Sequence, residues 1–292
     1  MEKDGAHFKF RLLPCAPGAN GIPGSCFSES GIVELRDAWN MRHSDDPITS
    51  DNPMEIWRDL RIKLQTTCKS EKCWIIKLLN AKRQEALIPR LFVPVANKKW
   101  CRNPREWLDS NDIAKVMHQY EDANDCFDFY GPAPIDFATM ARGSNAVWEE
   151  IVDFDPWSAV KDGQTCTGMV FNTDPHNKPG EHWISVFVDC RDSSHPYVAF
   201  SDSNGDPPPK ELKSTIDQFK QRYNEGAGNA KNMIYKRNMI SHQRKNTECG
   251  IYCLHMIISL LQRDYSLDEY FRERKPDKMM ERLRTQFFHK EC

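Results

Sequence analysis

The feature that most constrains this chain is the apolar run that follows Cys249. Nearly every position between Ile251 and Leu261 is apolar, and the run is long enough for about three helical turns. As a helix it is apolar on every side, which predicts a helix buried all round instead of one lying on the surface. Such a helix has to lie inside a large core, and its position decides where Cys249 stands.

Cys249 is predicted at or just before the first turn of this helix. Unpaired backbone N–H groups and the positive end of the helix dipole favour the thiolate there. One interpretation is therefore a nucleophilic cysteine. The other is a cysteine that only packs, and the choice between them depends on partner residues elsewhere in the chain.

Length and charge exclude several classes of protein. The 292 residues are enough for one large domain or two smaller ones. A net charge of -2 offers no basic excess, so neither a nucleic-acid nor a membrane-surface partner is indicated. No apolar run approaches the roughly 18 residues of a membrane span, and the first residues lack the apolar core of a secretory signal.

The cysteines favour an intracellular setting. Eleven is an odd number, and without a signal peptide it favours reduced thiols over a disulfide framework. Cys68, Cys73 and Cys101 suggest a zinc site only weakly, because no Cys-x-x-Cys or His-x-x-x-His pair supplies further ligands. We therefore expect no metal and a protein that is not secreted.

The pattern of helix and strand signals in the sequence changes near residue 100. Residues 1–100 carry helical signals, among them a cap at Ser28 or Ser30 and a second cap at Asp51 or Asn52, and predict an N-terminal helical arm domain. Residues 101–292 form the second predicted domain, which is mixed α/β. It contains three strand-like runs, with a further strand at 233–239. The three runs are Cys166–Asn172, Trp183–Asp189 and Tyr197–Asp202.

Partners for Cys249 lie at the ends of these strands. His182 opens one strand and Asp202 closes the next, so pairing of the two strands brings a base beside a carboxylate that can orient it. Gln243 lies in the loop before Cys249, where its amide can donate to an oxyanion together with the Cys249 N–H. Taken singly, each has an ordinary alternative: a packing histidine, a turn aspartate and a solvent-facing glutamine.

The order of these motifs resembles the ubiquitin-like-protein-specific cysteine proteases, which include the SUMO-deconjugating enzymes. It is similar in particular to the polyprotein-processing proteases of large DNA viruses, of the African swine fever virus type. The motifs that carry the resemblance are Gly180-Glu181-His182-Trp183, Asp202-Ser203 with Gly205, Gln243, Glu248-Cys249-Gly250, and Trp107-Leu108.

The resemblance implies an α+β fold. Its core is papain-like or SUMO-protease-like, a central mixed sheet flanked by helices with the nucleophile at a helix N-terminus, and a helical arm precedes it. It implies a His182–Asp202–Cys249 triad with Gln243 as oxyanion donor. Trp183 and Trp107 are expected to bind substrate in a narrow cleft that admits Gly-Gly or Gly-Ala type sequences. Neither a cofactor nor a metal is implied, and the substrate is a protein.

Three questions stay open at the level of sequence. The natural reaction is either processing of viral structural polyproteins or removal of SUMO or ubiquitin. A non-catalytic, protease-like binding module is a further alternative, which the presence of all four site residues disfavours. Asn246, nearer to Cys249 than Gln243 is, competes for the oxyanion role, and the oligomeric state is undetermined.

Overall fold

The computed structural model describes residues 10–138, 148–228 and 232–291. The helices in these ranges are α1 (Glu29–Asn40), α2 (Pro53–Leu64), α3 (Glu71–Leu78), α4 (Ala81–Leu91), α5 (Ser110–Asp122), α6 (Glu149–Val152), α7 (Pro156–Lys161), α8 (Lys210–Ala227), α9 (Cys249–Leu261), α10 (Leu267–Arg272) and α11 (Asp277–Phe287). The strands are β1 (Phe127–Pro134), β2 (Cys166–Asn172), β3 (Trp183–Asp189), β4 (Tyr197–Asp202) and β5 (Ile234–Arg237). A 3₁₀ turn covers Lys98–Cys101.

The described chain divides into two compact units. The first holds the residues up to Val95 together with Gln286–Glu291, and the second holds Ala96–Thr285. The sequence predicts the boundary at residue 100 instead and places residues 286–291 in the second domain, because Phe287 continues the helical spacing of Met280 and Leu283. Whether the first unit acts as an arm for a catalytic core stays a prediction.

The first unit is built on helices α1 to α4. Ser28 caps α1 by accepting a hydrogen bond from Gly31 N, and Asn52 caps α2 with Pro53 at the first helical position. The apolar faces of these helices meet in a core that includes Ile32, Leu35, Ile56, Leu60, Trp74 and Phe92. His289 joins this unit because its Nδ1 lies 2.8 Å from the Val93 carbonyl oxygen.

Four cysteines of the first unit are paired. Cys15 is bonded to Cys26 and Cys68 to Cys73, with Cα–Cα distances of 5.3 and 5.4 Å. The expectation of reduced thiols is therefore wrong for these four residues. The fold brings each pair within bonding distance, which spacing along the chain does not reveal.

Two further observations concern metals and membranes. No group of three or more His, Cys, Asp or Glu residues in the described ranges is arranged to hold a metal ion. Among the helices of residues 10–138, 148–228 and 232–291, none has both the length and the apolar character to cross a membrane.

The second unit contains one mixed sheet in the order β1-β2-β3-β4-β5. The β1–β2 and β4–β5 pairs are parallel, and the two pairs between them are antiparallel. Strands β2, β3 and β4 were predicted with the bounds observed, and the predicted α+β class is confirmed. Strand β1 was not predicted, because it contains Gly131 and Pro132, which are typical of turns.

Helices cover both faces of this sheet. On one face, Ile184, Val186 and Phe200 pack with the apolar side of α8. On the other, α9 packs against β2, β3 and β4, and a methyl group on Gly168 would meet Ile257 at 2.8 Å. Because β3 is buried on both faces, its sequence from Trp183 to Val188 is apolar except at Ser185.

Helix α9 is buried along its whole length, as the sequence predicted. It begins at Cys249, and the side chain of the residue before it, Glu248, is fully buried. Arg284 of α11 supplies the opposite charge, with Nη2 and Nε each 2.9 Å from Glu248 Oε2. The same guanidinium donates to the Glu106 and Thr247 carbonyl oxygens and lies 4.4 Å from the centre of the Trp100 ring. This buried pair therefore ties the start of α9 to the surrounding structure.

Replacing Arg284 by Met is expected to destabilise the second unit strongly. The change leaves the Glu248 carboxylate buried without its partner, at a cost of about 3–5 kcal/mol in the free energy of unfolding. Denaturant unfolding followed by fluorescence measures the change. Arg282→Met, on the exposed side of the same helix, is the control. A loss of only about 0.5 kcal/mol for Arg284→Met, typical of a surface residue, would contradict the assignment.

Candidate active site

The ends of β3 and β4 bring His182 and Asp202 together. The two strands are antiparallel, and Asp202 pairs in register with Ile184, two residues after His182. His182 Nε2 lies 2.8 Å from Asp202 Oδ1, which leaves the other ring nitrogen for a second partner. The pairing predicted from the sequence is therefore present in the structure.

The second partner of the imidazole is Cys249. Burial opposes the charged ring, but the hydrogen bond to Asp202 and the interaction with the Cys249 sulfur outweigh it and raise the pKa of His182 to about 10. An imidazolium that persists above neutral pH is the form that pairs with a thiolate. The site is therefore suited to a cysteine nucleophile, with Asp202 orienting the base.

Asp202 is itself held firmly. Its backbone N–H donates to Asn238 Oδ1 at 3.0 Å, and Asn238 Nδ2 donates to its carbonyl oxygen at 2.5 Å. Asn204 N donates to Asp202 Oδ1 at 2.8 Å, and Asn204 Nδ2 lies 3.5 Å from His182 Nε2. The carboxylate thus accepts from both the ring and its own turn, which fixes its orientation.

The first turn of α9 lies against the segment before α5. A methyl group on Gly250 would meet Leu108 Cβ at 3.0 Å and Trp183 Cδ1 at 3.5 Å, so the absence of a side chain permits this approach. The Trp183 indole Nε1 donates to the Leu108 carbonyl oxygen at 2.9 Å. Trp183, Leu108 and Gly250 therefore form a close-packed wall next to Cys249.

Leu108 and Trp183 of this wall also line a cleft of about 520 Å³. Trp183 and Trp107 both line it, but Trp183 is 7% exposed and Trp107 40% exposed. Trp107 therefore offers an open aromatic face, whereas Trp183 is anchored by its indole. Their roles in substrate binding stay predictions.

Gln243 and Asn246, the two candidate oxyanion donors, differ in burial. Gln243 is buried, and its Oε1 accepts a hydrogen bond from Ser203 Oγ at 2.9 Å. Asn246 is exposed. A buried and oriented amide is the better candidate for a fixed donor, which favours Gln243.

Burial favours the protonated form of two other thiols in the second unit, Cys253 and Cys190. Complete burial raises the pKa of Cys253 well above its ordinary value, and the nearby Cys249 raises it further. Burial raises the pKa of Cys190 to about 12. Cys253, one turn after Cys249, is a core residue as expected from the sequence.

Sequence reasoning missed several residues that hold the site together. Asn238 follows β5 directly, and nothing in its neighbourhood distinguishes it from a loop asparagine. Ser203 was noted only as part of a motif. The pairing of Glu248 with Arg284 joins residues 36 positions apart, so a charge within the motif Glu248-Cys249-Gly250 was its only signal.

Comparison with known proteins gives a family match for the C-terminal part of the chain. Residues 165–291 match the Ulp1 protease family, C-terminal catalytic domain. This matched segment contains all four residues that the sequence analysis proposed for the chemistry, His182, Asp202, Gln243 and Cys249.

The relatives of the chain include viral proteases. A protein of Acanthamoeba polyphaga mimivirus named "Putative thiol protease" is 33% identical over 158 residues, 53% of this chain and 48% of that protein. A cysteine protease of African swine fever virus is 30% identical over 154 residues, 53% of each chain. The match thus spans about half the length of these relatives.

A solved structure extends the likeness in fold to nearly the whole chain. The crystal structure of the African swine fever virus protease aligns with a TM-score of 0.65 and 20% identity, covering 95% of this chain and 96% of that one. At that identity the match concerns the fold, which includes the helical first unit.

The titration of His182 provides a test of the site. Because its folded-state pKa lies above the ordinary value of about 6.5, the imidazolium contributes stability that is complete below pH of about 6.5 and is lost as the pH rises through about 10. NMR of ¹³C-labelled histidine is expected to show a midpoint well above 8, and Asp202→Asn should lower it by about one unit or more.

A matched control for this titration is Asp192→Asn. Asp192 pairs with His195 on the surface at 2.9 Å, so its loss should leave the His182 midpoint unchanged. A His182 midpoint near the ordinary value of about 6.5 in both the wild type and Asp202→Asn would contradict the arrangement.

Proposed function

We propose that the chain is a cysteine endopeptidase whose triad is His182, Asp202 and Cys249. The observation that carries this proposal is the 2.8 Å hydrogen bond between His182 and Asp202, made next to the first residue of a buried helix. The match of residues 165–291 to the Ulp1 protease family supports the same chemistry.

The proposed reaction begins with the Cys249 thiolate. Its sulfur attacks the scissile carbonyl carbon, and the Cys249 N–H with the Gln243 amide stabilises the oxyanion that forms. The His182 imidazolium then gives its proton to the leaving amine, and the C–N bond breaks to leave a thioester. His182, now neutral, takes a proton from water, whose hydroxyl displaces the sulfur and releases the carboxylic acid.

The proposed substrate is a protein cut after small residues, of the Gly-Gly or Gly-Ala type. The close packing of Trp183, Leu108 and Gly250 next to Cys249 is consistent with a substrate of this type. Since its relatives include viral proteases, we propose that it processes viral structural polyproteins, within the host cell or the virion. No cofactor or metal takes part in the proposed reaction.

Peptide cleavage by the full chain tests the proposal. Fluorogenic peptides ending in Gly-Gly and Gly-Ala, together with a SUMO and a ubiquitin fusion, separate polyprotein-type from deconjugating activity. Cys249→Ala is expected to abolish turnover. Gln243→Ala is expected to lower kcat by about 10²–10³-fold with little change in KM, the usual cost of one lost oxyanion donor.

Two outcomes would reject the peptidase or its assigned nucleophile. Cys126→Ser is the control variant, because Cys126 is a free, half-buried thiol outside the site, and it should retain full activity. Cleavage that survives Cys249→Ala would exclude Cys249 as the nucleophile. Binding of Gly-Gly-ended proteins with no cleavage by the wild type would favour the binding module instead.

A further inference from the structure

Ser203 makes three hydrogen bonds to the pair His242–Gln243, two of them to Gln243 itself. Its Oγ donates to Gln243 Oε1 at 2.9 Å, and its carbonyl oxygen accepts from the N–H groups of both His242 and Gln243 at 2.8 Å. Ser203 is 2% exposed, so these bonds form in a buried setting. The loop before α9 is exposed at residues 244–246. The bonds from Ser203 therefore fix this loop at Gln243, the residue that carries the amide.

The hydroxyl bond selects one of two orientations of the amide. The oxygen and nitrogen of a glutamine side chain are nearly equal in size, and a half-turn about the last torsion exchanges them. With Oε1 on Ser203, Nε2 occupies the opposite side of the amide carbon. The exchanged orientation leaves the buried Ser203 hydroxyl proton without the acceptor that the structure gives it, and it puts an oxygen where an oxyanion needs a donor.

Ser203 lies in a turn whose other residues contact the base. It directly follows Asp202, which orients His182, and the Asn204 N–H bonds back to the Asp202 carboxylate. One short turn at the end of β4 therefore contacts both the base and the amide. Movement of this turn would disturb the two together.

We propose that Ser203 is a positioning residue that holds the Gln243 amide with its N–H side turned to the oxyanion. The inference rests on the proposed peptidase function, in which Gln243 is the donor. In this role Ser203 does not contact the substrate. The turn 202–204 then supports both the base, His182, and the proposed oxyanion donor, Gln243.

Two isosteric variants isolate the hydroxyl. Ser203→Thr keeps the donor and Ser203→Val removes it, while the two side chains have nearly the same shape and strain the turn equally. On a Gly-Gly-ended fluorogenic peptide, we expect Ser203→Val to have a kcat about tenfold to a hundredfold below that of Ser203→Thr, with KM unchanged, a fraction of the cost of a lost donor. Ser241→Ala removes a hydrogen bond to the Gln243 backbone oxygen, so it controls for loop stability and should change kcat little.

Two further measurements distinguish a role in positioning the Gln243 amide from a role in the structure of the whole site. In a double-mutant cycle, the Thr-to-Val difference should disappear in a Gln243→Ala background, because Ser203 acts only through that amide. Alkylation of Cys249 by iodoacetamide forms no oxyanion, so its rate should be equal in Ser203→Thr and Ser203→Val.

Each result has a defined meaning. Equal kcat in the Thr and Val variants, or a difference that persists without Gln243, overturns the role of Ser203 while the peptidase stands. A parallel fall in alkylation and turnover assigns Ser203 to the structure of the whole site, which also overturns the inference. A wild type that cleaves no peptide and no fusion protein contradicts the proposed function, and the inference falls with it.

Discussion

The burial of helix α9 is the constraint on which the second unit depends. Every residue from Cys249 to Leu261 is buried, and the sheet strands β2, β3 and β4 form one wall of its surroundings. A helix without a solvent face has no freedom to rotate or slide without losing packed apolar contacts. Its first residue is therefore placed as firmly as the core, at the sheet edge where β3 begins and β4 ends.

Polar groups in this buried setting anchor the residues around the start of α9. The Glu248–Arg284 pair satisfies a charge that the core would otherwise exclude, and it anchors the chain immediately before Cys249. Asn238, directly after β5, anchors Asp202 through two hydrogen bonds to the Asp202 backbone. Supporting groups of this kind explain how the hydrogen-bonded pair His182 and Asp202 persists inside an apolar framework.

Much of this arrangement follows from the sequence, because the core elements have strong patterns. Strand β3 is apolar on both faces and α9 on all sides, and both patterns are visible in a single chain. The approach of His182 to Asp202 then follows from pairing two adjacent strands. Strand β1 was missed because it contains the turn-forming residues Gly131 and Pro132. The disulfides of the first unit were missed because only the fold shows which cysteines lie within bonding distance.

The central proposal is that Cys249 is a nucleophile that His182 activates. Brief labelling with limiting iodoacetamide at pH of about 6, followed by peptide mapping, measures it directly, since an ordinary thiol with a pKa of about 8.5 reacts slowly there. The account predicts that Cys249 is modified first in the wild type and loses this preference in His182→Ala. Labelling of Cys249 no faster than the half-buried Cys126 would contradict it.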